Sequence, residues 1–456
     1  MLNKKFKLNY RNLILTNVFN FLFVSFIFLS GIKYDYFQIR ILIFALLLPC
    51  IIKIIHNKNF SNIKIFLSFF IILIIHSILN VYFENSAFTQ YNFYGISSLT
   101  AIFVISFYYF DDFNKNIKNI INLFIIIFFI SIFISLLNYQ PDANLFCGGI
   151  KIFKILSILD KYLPLDIDFE QPRIDELRFS FKEFIFRENS HLGMVAPSII
   201  IYLLYINSKK KTSFLNKFIA FIFIILCLIK GSTTLLLGTS LSLIVIIFFN
   251  FKIIPLKTLK LFSLIFILFL GILTFDNECR SRFVPTYGFA DKENTNNLMF
   301  EVVGEINENL ALKISQFAKV NIGNMTSAIH FHAFMIAKKS IIEKPFGWGV
   351  NRYDEAFEYF NEKYPSKIER LKRYNNKDGT NNFVKIVVEF GIFSILFYLF
   401  ITMFLINKKI PIDLKFFYIP FIITQSLRGA GYFNGGFSLI VFLMLFTYLR
   451  LNKKNS

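Results

Sequence analysis

The sequence is poor in several residue types that mark common protein classes. It has 4 Cys in 456 residues, none in a CxxC spacing, and only 1 Trp. Charged residues make up 17% of the chain, against about 25% in an ordinary soluble domain. There is no Gly-rich phosphate loop and no repeat of fixed period. These absences exclude a secreted disulfide scaffold, a cysteine-based zinc site, a disordered tail and a typical cytosolic enzyme.

Apolar residues are abundant instead. Hydrophobic residues make up 55% of the chain, with 63 Phe, and a water-soluble fold of this length could not bury so much apolar surface. The composition therefore predicts an all-α polytopic membrane protein. About twelve runs are apolar enough to cross a bilayer. They cover residues 13–32, 39–55, 65–82, 93–110, 119–138, 191–207, 215–229, 232–249, 260–275, 382–406, 416–427 and 432–449.

The net charge of +20 is distributed unevenly between alternate connections. One set of connections, which includes both termini, carries about 22 Lys and Arg against about three acidic residues. The positive-inside rule places this set and both termini in the cytoplasm. Nearly all of the net charge is then accounted for by membrane orientation, and a nucleic-acid-binding role is excluded.

This orientation divides the chain into membrane and outer segments. Residues 1–138 are predicted to hold spans 1–5, residues 191–275 spans 6–9, and residues 382–456 spans 10–12 with a cytoplasmic tail. The two long connections, 139–190 and 276–381, both fall on the outer side. Helix-like spacing of apolar residues in the longer one predicts a helical cap on the membrane face.

Ionisable residues concentrate at the outer ends of the spans, and little charge lies near the middle of any span. Arg187, Glu188 and His191 precede or begin the sixth span. Glu188 and His191 share a helix face, which suits a general base near neutral pH, and helix capping is the alternative interpretation. A coupled transporter would bury ionisable groups nearer the midplane, so the pattern favours a site at the outer face.

The longer outer segment contributes further candidates. Arg280 and Arg282 could bind phosphate oxygens bidentately, with interfacial snorkelling as the alternative. His330 and His332 are two residues apart, so on a helix they would point to nearly opposite faces and no shared metal is expected. Either histidine is a candidate base.

Polar residues also gather at the outer ends of the last spans and after a Pro/Gly turn. Lys385 and Glu389 are four apart on the tenth span and are predicted to pair. Arg428, in the last outer hairpin, would be costly unless it pairs or faces water. The remaining candidates of this group are Arg352, Asn381, Asn382 and Tyr432.

Several of these stretches resemble segments of a known family, the bacterial O-antigen polymerases, which are related to the O-antigen ligases. RENSHLGMVAP resembles the family's E-x-S-H stretch, and KPFGWGVNRY resembles its P-x-x-G-x-G turn. DGTNNFVKIVVEFGIFSIL resembles the stretch ending in E-x-G-I, and RGAGYFNGGF the R-x-x-G-Y segment. The His-Asn pair that many ligases carry shortly before the E-x-G glycine is Thr380-Asn381 here, which favours a polymerase.

The resemblance implies a C-type membrane glycosyltransferase fold that needs no metal or cofactor. The implied substrates are oligosaccharide repeat units on undecaprenyl diphosphate. The growing chain would pass from its lipid carrier to the non-reducing end of a new unit, at the periplasmic face of the bacterial inner membrane. Membrane lipids and a chain-length regulator protein are the implied partners. A ligase that transfers glycan to lipid A-core and a lipid-linked oligosaccharide flippase remain as alternatives.

On this interpretation the candidate residues take three roles. The base is Glu188 or His191, with His330 or His332 as second choice. Cations are needed where the charge of the diphosphate develops. The predicted diphosphate ligands are Arg187, Arg280, Arg282, Arg352 and Arg428. The predicted sugar ligands are Asn381, Asn382 and Tyr432.

Overall fold

The computed structural model describes most of the predicted spans and part of the longer outer segment. The described residues are 17–29, 36–56, 61–84, 89–137, 189–209, 213–229, 233–250, 325–364, 376–377, 379–429, 431–433 and 436–453, with isolated positions at 260, 263 and 267. Arg187, Glu188, Arg280 and Arg282 lie outside them, as does nearly all of the ninth expected span.

All regular elements in these ranges are helical, because in lipid only a helix or a closed barrel satisfies every backbone polar group. Most helices begin and end within a few residues of a predicted apolar run. They are α1 (Asn17–Phe28, with a π-helical turn at Ser25–Leu29), α2 (Tyr36–His56), α3 (Ser61–Glu84), α4 (Gln90–Leu137), α5 (Asn189–Lys209), α6 (Phe214–Ile229), α7 (Thr233–Asn250), α8 (Met325–Glu343), α9 (Tyr353–Lys363), α10 (Asn382–Phe390), α11 (Ser394–Ile406), α12 (Ile412–Leu427) and α13 (Phe437–Lys453).

Four helical stretches are long and apolar enough to cross a membrane. They are Ile63–Tyr82, Gln90–Ile132, His191–Ser208 and Asn382–Ile406, the last consisting of α10, a 3-10 turn at Gly391–Phe393 and α11. The shorter α1, α2, α6 and α7 are also apolar. The described chain is therefore an all-helical protein with membrane-spanning helices.

One connection differs from expectation. The fourth and fifth expected spans were separated by a charged cytoplasmic connection, DDFNKNIK at 111–118, but α4 runs unbroken for 48 residues. At 1.5 Å per residue this helix is about 72 Å long, more than twice the roughly 30 Å hydrocarbon core. The connection stays helical because it contains neither Gly nor Pro, and because Asp111 pairs with Arg450 of α13.

The centre of the helical assembly is α12. Its residues 414–422 are all buried, and it packs against α5, α7 and α13. At the α7 contact a Cβ on Gly238 would lie 2.7 Å from Thr424 Cγ2, so the small residue allows the two helices to approach closely. Gly238 therefore has a packing role in this contact.

A second, smaller core joins α8 and α9 to α10. Trp348, Tyr353, Phe357 and Phe360 are buried there against the valines of α10. The Glu343 carboxylate at the end of α8 accepts hydrogen bonds from Lys363 Nζ (2.7 Å) and from the Tyr364 hydroxyl (3.1 Å). The α8–α9 pair is thereby held together against α10.

Candidate functional site

The turn between α8 and α9, residues 344–352, is bound to the C-terminal end of α10. The Trp348 N–H donates to the Val388 carbonyl and the Gly349 N–H to the Glu389 carbonyl, each at 2.9 Å. These are two of the last carbonyls of α10, which lack partners within their own helix. The turn therefore caps α10 with main-chain bonds.

Two glycines make this close contact possible. Gly347 has φ of 88° and Gly391 has φ of 55°, the left-handed region that side chains disfavour. A Cβ on Gly391 would lie under 3.0 Å from the Pro345 oxygen and the Gly347 nitrogen, both of them backbone atoms. Gly347 of the KPFGWGVNRY stretch and Gly391 of the E-x-G-I stretch are thus in direct contact with each other.

The Glu389 carboxylate is the polar centre of this contact and is completely buried. It accepts hydrogen bonds from the Asn351 N–H (2.7 Å) and the Tyr353 N–H (3.1 Å). The Tyr432 hydroxyl also donates to it, and Lys385 Nζ lies 3.7 Å away. The pairing of Lys385 with Glu389 is as predicted, but the other three donors come from distant parts of the chain. We call Glu389 and these four partners the Glu389 junction.

The opposite side of the turn contacts α3 and α4. The His76 Nε2 is 3.2 Å from the Phe346 carbonyl, and its ring stacks on Phe390 at 5.2 Å between centroids. Asn92 Nδ2 donates to the Val350 carbonyl at 3.2 Å. Neither His76 nor Asn92 was among the residues predicted from the sequence. The signal available was an ionisable side chain within an apolar run, since His76 lies inside the 65–82 span.

Beside the junction, three predicted residues meet at a less buried edge. His330 lies near the start of α8, and its Nδ1 is 3.5 Å from Asn381 Nδ2. The side chain of Asn381 also caps α10 by accepting from the Val384 N–H at 2.8 Å. Arg428 follows α12, and its positive charge acts on His330. We call His330, Asn381 and Arg428 the His330 group.

The two histidines of α8 face different surroundings, as their spacing predicted. His330 is half-buried toward Asn381, whereas His332 is buried with its ring 5.6 Å from Phe357 of α9. Burial, reinforced by the charge of Arg428, lowers the pKa of His330 to about 4. Burial also lowers the pKa of His332 to about 4, against the opposing effect of Asn361. Both rings are therefore neutral near neutral pH, but only His330 is partly accessible.

These pKa values predict how stability depends on pH. The unfolded chain protonates its histidines near the ordinary value of 6.5, whereas folded His330 and His332 stay neutral down to about 4. Between these values the unfolded state binds more protons, so the free energy of unfolding should fall as pH is lowered from about 6.5 toward about 4. The His332→Gln variant should show a shallower decline. Thermal unfolding at neutral pH and at about pH 5 measures this, and identical pH profiles of variant and wild type would contradict it.

The predicted sugar ligands and Arg352 have structural contacts. Asn382 is fully buried, and its Nδ2 donates to Gln425 Oε1 at 3.3 Å. Arg352 is buried and hydrogen-bonded to Glu355, one turn along α9. Tyr432 belongs to the Glu389 junction and Asn381 to the His330 group. The roles of these residues toward substrate stay predictions.

The remaining predicted base, His191, is half-buried near the start of α5, a helix whose next nine residues are all buried. Among the residues that the structure describes, no three His, Cys, Asp or Glu side chains lie close enough together to hold a metal ion.

Comparison with known proteins adds no relatives: no protein-family model, curated protein sequence or solved structure matches the chain. The function is therefore argued from the site.

Proposed function

We propose that the protein is a membrane glycosyltransferase that joins oligosaccharide repeat units carried on undecaprenyl diphosphate, as O-antigen polymerases do. The observation that supports this is the Glu389 junction. Three stretches that resemble family motifs, at 345–353, 389–392 and 428–432, are far apart in sequence but in contact through one carboxylate. A chance resemblance gives no reason for these stretches to meet.

The His330 group suits the chemistry of this transfer. The acceptor sugar hydroxyl loses its proton to the neutral imidazole of His330, and its oxygen bonds to the anomeric carbon of the growing chain. The bond from that carbon to the diphosphate oxygen breaks, and the diphosphate leaves with the electron pair. Arg428 lies where a guanidinium could stabilise the developing negative charge. The Asn381 Nδ2 lies 3.5 Å from His330 Nδ1 and donates to its lone pair, which leaves the ring proton on Nε2. The sugar hydroxyl therefore takes the place of this long contact when Nδ1 accepts its proton.

His330 is preferred here to His332, because His332 is enclosed by the α8–α9 contact with its ring against Phe357, whereas His330 is partly exposed. It is preferred to His191 because its Nδ1 lies 3.5 Å from the Asn381 amide and the charge of Arg428 acts on it, which brings three predicted residues together. Periplasmic orientation, the twelve-span topology and a chain-length regulator as partner belong to this proposal, and they follow from the charge pattern and the resemblance.

The proposal is tested with the purified protein in nanodiscs, supplied with lipid-linked repeat units. Elongation of the lipid-linked glycan without any other protein is the expected result. His330→Gln should slow elongation about 100-fold, the usual contribution of a general base, without lowering the unfolding temperature. His332→Gln, the same substitution two residues along, should lower the unfolding temperature while leaving the rate of the folded protein near that of wild type.

Other outcomes would identify the alternatives. Transfer of glycan only to lipid A-core would indicate a ligase. Movement of lipid-linked units across the bilayer without new glycosidic bonds would indicate a flippase. A folded His330→Gln variant with an unchanged rate would remove His330 from the role of base but leave the polymerase assignment standing.

A further inference from the structure

One face of α8 is apolar although the helix belongs to the outer segment. Phe334, Ile341 and Ile342 are exposed, Ile342 by 70%. On a helix these positions fall within an arc of about 100°, and the exposed Lys338 lies inside the same arc. The other side of α8 packs against α9 and α10. We call Phe334, Lys338, Ile341 and Ile342 the α8 stripe.

The α8 stripe leads directly to the lipid-facing surface of the 382–406 span. The Ile392 N–H donates to the Pro345 carbonyl at 2.9 Å, which places the end of α8 beside the 3-10 turn of that span. Ile392, Ile395 and Leu396 are exposed there, Leu396 by 64%. In a membrane-spanning helix an exposed apolar side chain faces acyl chains, so the lipid that covers this surface also reaches the end of α8.

Lys338 lies inside the arc of the stripe. An interfacial helix accommodates a lysine at such a position, because the four-carbon stem lies along apolar surroundings while the ammonium stays at the level of the headgroups.

We propose that α8 is an interfacial helix, with its stripe inserted into the outer-leaflet phospholipid at the boundary between headgroups and acyl chains. Such helices bury their apolar face about 5–10 Å into this boundary. His330 stands at the N-terminal part of the same helix, so the His330 group lies near the headgroup level. A diphosphate attached to a lipid could then reach it without leaving the bilayer. The inserted position itself does not rest on the proposed function.

The single tryptophan allows a direct test. Trp348 is the only tryptophan in the chain, and its indole Nε1 makes no hydrogen bond within the described residues. The Trp348→Phe variant therefore has no tryptophan fluorescence of its own. Ile342→Trp is then introduced, and the protein is reconstituted in phospholipid vesicles brominated in the upper or the terminal part of the acyl chains. Upper-chain bromine should reduce the fluorescence about twofold and terminal bromine should reduce it less, as expected for insertion to the interface.

Two control variants, also made in the Trp348→Phe protein, calibrate the quenching. Glu362→Trp, on the exposed side of α9, should be quenched by aqueous iodide and not by brominated lipid. Leu396→Trp should be quenched by brominated lipid. Phe334→Trp is a second probe of the stripe if Ile342→Trp lowers the unfolding temperature.

Two results would overturn the proposal. The first is a stripe tryptophan that is quenched by aqueous iodide and not by brominated lipid, as expected for Glu362→Trp. The second is a stripe tryptophan shielded from both iodide and brominated lipid, which would indicate a protein partner or a second copy of the chain. Because the readout is fluorescence, an inactive enzyme would not affect either conclusion.

Discussion

Replacing Glu389 with alanine is expected to lower the free energy of unfolding by about 3–5 kcal/mol, the usual range when one partner of a buried ion pair is removed. The substitution removes the carboxylate that accepts from the Tyr353 N–H and the Tyr432 hydroxyl. The Asn351 N–H keeps only its second acceptor, the Tyr432 oxygen 3.1 Å away. The substitution also leaves the buried Lys385 without its nearest acidic partner. We expect the 344–352 turn to detach from α10, and glycan elongation to be lost with it.

Graded variants separate charge from hydrogen bonding. Glu389→Gln keeps one acceptor oxygen but removes the charge. Its free energy of unfolding should therefore lie between those of the wild type and Glu389→Ala. The double variant Lys385→Met/Glu389→Gln should recover part of that loss, because it no longer buries an uncompensated cation. Glu358→Ala, at an exposed position of α9, is the matched control and should change stability little. Additive effects of the Lys385 and Glu389 substitutions in thermal unfolding would contradict the coupling.

Replacing Gly391 with alanine is expected to lower the free energy of unfolding by about 2–6 kcal/mol. This is the combined range for left-handed backbone strain and overpacking. Gly391 has φ of 55°, and an added Cβ would collide with backbone atoms of Pro345 and Gly347. Backbone atoms cannot rotate away as a side-chain end can. We therefore expect the turn to move away from α10 and elongation to be lost.

Gly379→Ala separates strain from collision. Gly379 also has a positive φ, 68°. The atom nearest to a Cβ added there is a side-chain atom, Lys385 Cβ, at 3.1 Å. This variant should show mainly the backbone strain, about 1–3 kcal/mol, because its neighbours need to move much less than the backbone atoms beside Gly391. The comparison is made by thermal unfolding of both variants in the same lipid. If Gly391→Ala and Gly379→Ala lowered the unfolding temperature equally, the contact of Gly391 with the turn would contribute nothing to stability.

Much of the helical structure follows from the order of residues. The apolar runs at 191–207, 215–229 and 232–249 correspond closely to α5, α6 and α7, because a segment in lipid has few ways other than a helix to satisfy its backbone. The continuous α4 was not predicted. Its charged centre resembles a loop in sequence, but in the structure the Tyr418 hydroxyl donates to Asn114 Oδ1 at 2.6 Å. A partner 304 residues away cannot be seen in a local pattern.

In the candidate site too, the local sequence predicted some features, and contacts between distant residues decided the others. The spacing of His330 and His332 was enough to place them on different faces, because each residue advances a helix by about 100°. It did not show which of them meets Asn381. Glu389 was recognised only as the partner of Lys385, four residues away, since that contact repeats with the helix turn.

By itself, the sequence determined that this is a helical membrane protein, where most of its helices begin and end, and which local pairs share a face. All of these depend on hydropathy and helix periodicity, which act over a few turns. Only the tertiary structure decided that a single buried carboxylate holds the 344–352 turn, the end of α10 and Tyr432 together, and that His330 is the histidine beside Asn381 and Arg428. The long-range hydrogen bonds of the Glu389 junction and of His330 join residues 36 to 81 positions apart, and their geometry exists only when the helices are packed.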